Sequence, residues 1–128
     1  MRVTLVVPDR ELWSGEASIV IAKTTEGDIG VLTGHSPVFG ILAEGSLVEI
    51  QSDAGTVRAA VSGGFLSVAD DRVSILASEA ELGSDVDTAA VRADLDAALA
   101  SGGTQPDGDE TPEVKYARAR LRAAGEEA

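Results

Sequence analysis

The chain has no cysteine, a single histidine and only four aromatic residues in 128, and each shortage closes off a class of chemistry. Without cysteine there are no disulfide staples and no thiolate metal sites, an inventory that suits a reducing compartment. One imidazole, His35, rules out a histidine-rich metal centre. No apolar run approaches the roughly 20 residues that a bilayer-spanning helix needs. Met1-Arg2-Val3-Thr4 enters a strand pattern directly, without the charged head, apolar centre and cleavage site of a signal peptide. The chain is therefore expected to be soluble and intracellular, reaching a membrane only through a partner. Basic residues are scarce too: 10 Lys and Arg stand against 22 Asp and Glu, a net charge of −12, which argues against nucleic acid as a partner. With 44% hydrophobic residues but 3% aromatics, the core has to be built from Val, Ile, Leu and Ala.

At this length one domain with a small appendage is the default. Short apolar runs follow one another from the start: Val3–Val7 up to Pro8-Asp9, Ala17–Ala22 after Ser14-Gly15, and Ser46–Ile50 after Gly45. Thr56–Val61 follows the turn Asp53-Ala54-Gly55, Phe65–Ala69 follows Gly63-Gly64, and Val73–Ala77 follows Asp70-Asp71. These six are the clearest of seven or eight short strands whose turn signals, every 8 to 12 residues or so, predict a β-sandwich or barrel over 1–84.

The pattern changes near Gly83. Ser84-Asp85-Val86-Asp87 has the makings of a helix start, and Val91, Leu95, Ala98 and Leu99 then share one helical face. The appendage, 85–128, is read as a helix over about 86–100, a polar Gly/Pro-rich linker over 101–111 with no packable face, and a second helix over about 112–124. Thr111 and Pro112 supply its cap and first residue, and Val114, Ala117, Leu121 and Ala124 its apolar face. Residues 1–112 carry a net charge of −13, whereas Lys115, Arg118, Arg120 and Arg122 give 113–124 a net of +3. Such a basic amphipathic helix can dock on its own acidic body or on an acidic partner.

No catalytic set emerges. His35 lies in Glu26-Gly27-Asp28-Ile29-Gly30-Val31-Leu32-Thr33-Gly34-His35-Ser36-Pro37, a stretch read as a shaped loop that presents something to a partner. Ser36 is adjacent to His35, but neighbouring side chains in an extended segment point to opposite faces and do not form a catalytic pair. A lone histidine in a tight loop more commonly bonds its local backbone. The acid pairs Glu79/Glu81, Asp85/Asp87, Asp94/Asp96 and Glu126/Glu127 are what 22 acids produce by chance, and Gly63-Gly64 lacks the Lys-Ser/Thr of a phosphate-binding loop.

Taken in order, these segments resemble a known family. Leu5-Val6-Val7-Pro8-Asp9-Arg10 with Trp13-Ser14-Gly15, Gly27 to Pro37, Leu42 with Gly45, Gly63-Gly64-Phe65-Leu66-Ser67-Val68, and Val73–Ala77 with Glu79-Ala80-Glu81 match the epsilon subunits of bacterial F-type ATP synthases, the delta subunits of mitochondria, in order and spacing. The ending Arg118-Ala119-Arg120-Leu121-Arg122-Ala123 looks like actinobacterial members. The resemblance implies a sandwich of about ten strands followed by a two-helix hairpin, and no catalytic activity of its own. It implies a rotor subunit of the central stalk that couples proton flow to ATP synthesis at the cytoplasmic face of the cell membrane, peripheral and without membrane insertion.

The implied partners are the gamma subunit, the membrane c-ring and, through the helices, the alpha3beta3 head, where the helical region can inhibit ATP hydrolysis. Carried onto this chain, Glu26, Gly27 and Asp28 fall at the c-ring contact and His35, Ser36 and Pro37 at the gamma contact. Lys115, Arg118, Arg120 and Arg122 fall at the inhibitory beta-subunit contact. No cofactor is implied beyond the regulatory ATP that some relatives bind through an Ile-Asp-x-x-Arg-Ala pattern. Here the matching pair is Asp87 and Arg92, five residues apart instead of three, which turns the arginine about 200° further round the helix and argues against a nucleotide site. A free-standing nucleotide sensor and a stand-alone enzyme are the competing readings.

Overall fold

A computed structural model describes residues 1–128. Ten strands come first: β1 (Arg2–Val7), β2 (Arg10–Glu16), β3 (Ile19–Thr24), β4 (Gly27–Leu32), β5 (Val38–Leu42), β6 (Ser46–Ser52), β7 (Gly55–Val61), β8 (Gly64–Ala69), β9 (Arg72–Ala77) and β10 (Ala80–Leu82). A 3₁₀ turn at Gly83–Asp85 leads into α1 (Thr88–Ala100) and α2 (Pro112–Ala123). The strands follow the order β10-β7-β6-β3-β5-β8-β9-β1-β2, with β4 paired to the other side of β3. Between β3 and β5 the path narrows to one pair, Thr24 with Leu42, and there it folds over into two layers. All pairings are antiparallel except β1 with β9.

Alternation along the strands decides what lies between the layers. Val3, Leu5 and Val7 of β1 point inward, as do Val48 and Ile50 of β6 and Val73, Ile75 and Ala77 of β9, all within one buried cluster. These side chains are small or β-branched, stiff at χ1 and suited to a pleated surface. None of the four aromatic residues is fully buried; the buried core is aliphatic, and Trp13 only packs against its edge.

The stretch from Glu26 to Pro37 is not one loop. Its first half is β4, paired along its length with β3, and Val31 is fully buried. Gly27, Asp28 and Gly30 conceal a strand that tertiary pairing enforces. β2, β5 and β10 complete the ten; each is short, or mixes apolar with charged or glycine residues.

Both helices are capped by side chains: Asp87 accepts from the Ala90 N–H (3.1 Å), and Thr111 from the Val114 N–H (3.4 Å). α2 is the middle layer of the C-terminal region. On one side Val114, Ala117 and Leu121 meet Val91 and Leu95 of α1. On the other, Ala119 and Ala123 lie on Ala60 of β7, flanked by Leu47 and Tyr116. α1 packs on α2 and makes no comparable contact with a strand, so it is tied to the sandwich through α2. The 101–111 segment, which sequence suggests has no packable face, carries internal hydrogen bonds and buries Gly103.

Small residues on both sides let α2 approach closely. A Cβ on Gly45, which also sits at φ +57°, would run into the backbone of Lys115, and one on Gly83 would meet the carbonyl oxygen of Ala123. The two glycines seat the two ends of the helix. Tyr116, the only tyrosine, reports on this seat because burial pushes its phenol up to about 12. The folded chain thus keeps a proton that the unfolded chain loses near 10.0, so this contribution to docking is full below pH 10 and vanishes as pH rises toward 12. Gly45→Ala should weaken docking by about 1–3 kcal/mol. In a spectrophotometric titration the phenolate should then form closer to pH 10, with the β-sheet circular dichroism unchanged.

Candidate binding surfaces

One outward face of the sandwich is apolar where solvent would favour polar residues. Ile41 of β5, Phe65 of β8, Leu76 of β9 and Val6 of β1 stand side by side in register, one residue per strand across four neighbouring strands. Phe39 joins them diagonally, its ring stacked on that of Phe65 with centroids 5.5 Å apart. Phe39 is 65% exposed, Ile41 51%, Leu76 49% and Phe65 46%. Phe39 begins the next row along the same face, which continues through Ser67, Ser74 and Thr4 as polar residues, so the patch ends there on β8, β9 and β1. A contiguous group of half-exposed large apolar side chains on a rigid sheet is an adhesive surface.

None of these residues was among the site residues expected from sequence, although a signal exists. Val6-Val7, Ile41-Leu42, Phe65-Leu66 and Ile75-Leu76 are apolar doublets, and in a strand consecutive residues face opposite ways. A doublet therefore means that both faces are apolar, in a sheet whose outer face alternation would make polar.

The expected contact residues occupy two separate ends. Glu26 lies in the exposed β3–β4 turn and Gly27 and Asp28 open β4 beside it, the corner held by Thr24, whose hydroxyl accepts from the Glu26 N–H (3.1 Å) and donates to the Gly27 carbonyl (2.8 Å). This turn lies at the Leu42 end of β5. His35, Ser36 and Pro37 lie at the Val38 end, beyond β4, whose six residues span about 17 Å. They therefore do not make a pair of neighbouring contacts. The corner is anchored by the Gly34 N–H, which donates to Asp71 (2.9 Å), while His35 Nδ1–H donates to the carbonyl of Ser36 (2.6 Å). The histidine shapes its own corner.

The cations of α2 are all engaged within the chain. Lys115 pairs with Asp109 (2.6 Å), Arg118 with Glu110 (2.8 Å) and Arg120 with Glu81 (2.6 Å). Arg120 also lies 3.7 Å from Asp94 and over the ring of Tyr116, and Arg122 donates to the Ala128 carbonyl (2.6 Å). The hydrogen bond from Lys115 holds Asp109 below the usual carboxylate range, and Asp109 in turn raises Lys115. In this form the helix has docked on its own acidic body. Arg122 and Asp28 line one cleft with Lys23, which brings the acidic turn beside the end of the basic helix.

Asp87 and Arg92 do not converge: the first caps α1 and the second lies 4.0 Å from Glu126. The chain has no group of three or more His, Asp or Glu residues placed to hold a metal ion. No helix is long and apolar enough to cross a membrane.

A rigid β-sandwich with one adhesive face and a charge-latched helical hairpin is the build of an assembly subunit. Residues 1–83 match the beta-sandwich domain of the ATP synthase delta/epsilon chain. The chain is 47% identical over 124 residues to an ATP synthase epsilon chain of Streptomyces coelicolor, covering 97% of this chain and 94% of the relative. It is 51% identical over 127 residues to that of Thermobifida fusca, covering 95% and 90%. Its fold superimposes with a TM-score of 0.71 on a chain in the cryo-EM structure of the Euglena gracilis mitochondrial ATP synthase OSCP/F1/c-ring assembly, at 25% identity, covering 96% of this chain and 78% of that one. The chain belongs to the ATP synthase delta/epsilon family. It is a non-catalytic central-stalk subunit that serves ATP synthesis as part of the synthase complex.

Because the two phenylalanines face outward and lose mainly their mutual stack, the double variant Phe39→Ser/Phe65→Ser should lower folding stability by about 1–2 kcal/mol. Thermal unfolding would read this as a shift of several degrees, whereas Leu66→Ala, one position away and facing the core, should cost about 2–5 kcal/mol.

Proposed function

We propose that the row Val6, Leu76, Phe65 and Ile41, with Phe39, is the seat of the gamma subunit on this rotor subunit, and that the His35-Ser36-Pro37 corner touches the same partner at its rim. The single observation that carries this reading is the gathering of the large exposed apolar side chains of β5, β8 and β9 into one continuous patch, bordered by the half-buried Val6 of β1. A stalk subunit must transmit torque, and a stiff aliphatic sandwich can do so only if it is bonded to its neighbour over an area that excludes water. The Glu26-Gly27-Asp28 turn is the part offered to the polar loops of the c-ring. The assembled complex holds the chain peripherally at the cytoplasmic face of the cell membrane.

α2 and its cations are the part offered to the alpha3beta3 head as a brake on ATP hydrolysis. Its docking on the sandwich rests on small alanine contacts and one part-buried ion pair, Arg120 with Glu81, which suits an element that has to let go. Nucleotide is not part of this reading, because Asp87 is committed to its helix cap.

Phe39→Asp/Phe65→Asp should abolish co-purification with gamma while the sandwich stays folded, and His35→Ala should reduce it far less; a charged face that still binds gamma would overturn the assignment. Deleting 104–128 should raise ATP hydrolysis by the assembled complex, and Arg118→Ala/Arg120→Ala/Arg122→Ala should do so in part. Unchanged hydrolysis in the deletion would remove the brake. Titrating ATP into the isolated chain should give no saturable binding in the micromolar range.

A further inference from the structure

The connection between the helices is built to do more than span a gap. Thr104 bridges to Glu110, the Gln105 N–H donates to the Asp109 carbonyl (2.6 Å), and the Gly108 N–H donates to the Gln105 carbonyl (2.9 Å). The Gln105 amide donates to the Glu110 carbonyl (3.1 Å), and the Asp109 N–H to the carboxylate of Asp107 (3.0 Å). Gly103 is buried against Val114 and ties the turn to α2. A Gly/Pro-rich tether that served only for length would need none of these bonds.

Their effect is to aim two acids at one flank of α2. Lys115, Arg118 and Arg122 recur at i, i+3 and i+7 and so share a side of the helix. Asp109 meets Lys115, and Arg118 grips Glu110 with two nitrogens, Nε donating to Oε1 (3.0 Å) and Nη2 lying 2.8 Å from Oε2, a forked geometry stronger than a single surface pair. Arg120, on another side, is held by Glu81 instead.

We infer that the 104–111 turn is an internal surrogate for an acidic ligand: it occupies the cationic flank of α2 in the docked hairpin, and an external acidic peptide segment binds there only by displacing Asp109 and Glu110. The inference rests on the reading of that flank as a recognition surface. It adds a device within the chain that sets how readily the flank is offered, and that acts whether or not the hairpin leaves the sandwich.

The test is titration of an oligoglutamate peptide into the full chain at low salt. Asp109→Asn/Glu110→Gln should bind about tenfold more tightly than the parent, since two surface pairs no longer compete. Glu11→Gln/Asp53→Asn, which removes the same net charge elsewhere, should bind like the parent. Lys115→Gln/Arg118→Gln should abolish the gain. An equal gain in the charge-matched control, no gain in the surrogate variant, or binding that survives loss of Lys115 and Arg118 would each overturn the proposal. The Tyr116 titration verifies that α2 stays docked. Where the double variant releases it, Asp109→Asn alone, whose backbone bonds are kept, should still bind about threefold more tightly, and its failure to do so is equally decisive. A brake indifferent to Arg118, Arg120 and Arg122 in the assembled complex would instead undo the reading of α2 while leaving the peptide result standing.

Discussion

Everything in this molecule depends on strand alternation filling the interior with aliphatic side chains alone. Val3, Leu5, Ile50, Leu66 and Ile75 close the space between the layers, and no ring is needed there. Both phenylalanines are thereby free to stand outside, where Phe39 and Phe65 stack on each other instead of entering the core. The adhesive face is a consequence of how the core is filled. A subunit that works by being held and turned can have its rigid interior and its attachment surface on opposite sides of the same strands.

The helical hairpin is attached by different physics. Between α1 and α2 the contact is made by Val91, Leu95, Val114 and Leu121, whereas between α2 and the sheet it is largely alanine on alanine, admitted by the close approach at Gly45 and Gly83. The hairpin is therefore joined internally by large side chains and joined to the sandwich by small ones set close to the sheet. The remaining attachment is charge: Arg120 of α2 reaches β10 through Glu81 and α1 through Asp94, and so ties three elements together. Such contacts are sensitive to salt and to competitors in a way that buried leucine is not.

Much of the fold was legible in the residues. The aliphatic runs Val3–Val7, Ser46–Ile50 and Val73–Ala77 announced strands, and Asp87, Thr111 and Pro112 announced helix starts, because alternation and capping are local. β4 was hidden by Gly27, Asp28 and Gly30, whose preference for turns is overruled by pairing with β3. The apolar face was written in the doublets Val6-Val7, Ile41-Leu42, Phe65-Leu66 and Ile75-Leu76, but each belongs to a different strand, and only their register makes one surface of them.

The sequence by itself determined the class: an acidic, cysteine-free aliphatic β domain with a basic helix at its end, no catalytic set, and motifs in the order of the delta/epsilon family. Composition, periodicity and capping are properties of residues near one another in the chain, and they survive without coordinates. Tertiary structure decided the rest. It put the acidic turn and the histidine corner at opposite ends of β4, and it matched Lys115 and Arg118 to Asp109 and Glu110 in a turn that reads as a linker. A surface and an ion pair are relations between positions in space, set by how the strands register and how closely a helix can lie on them.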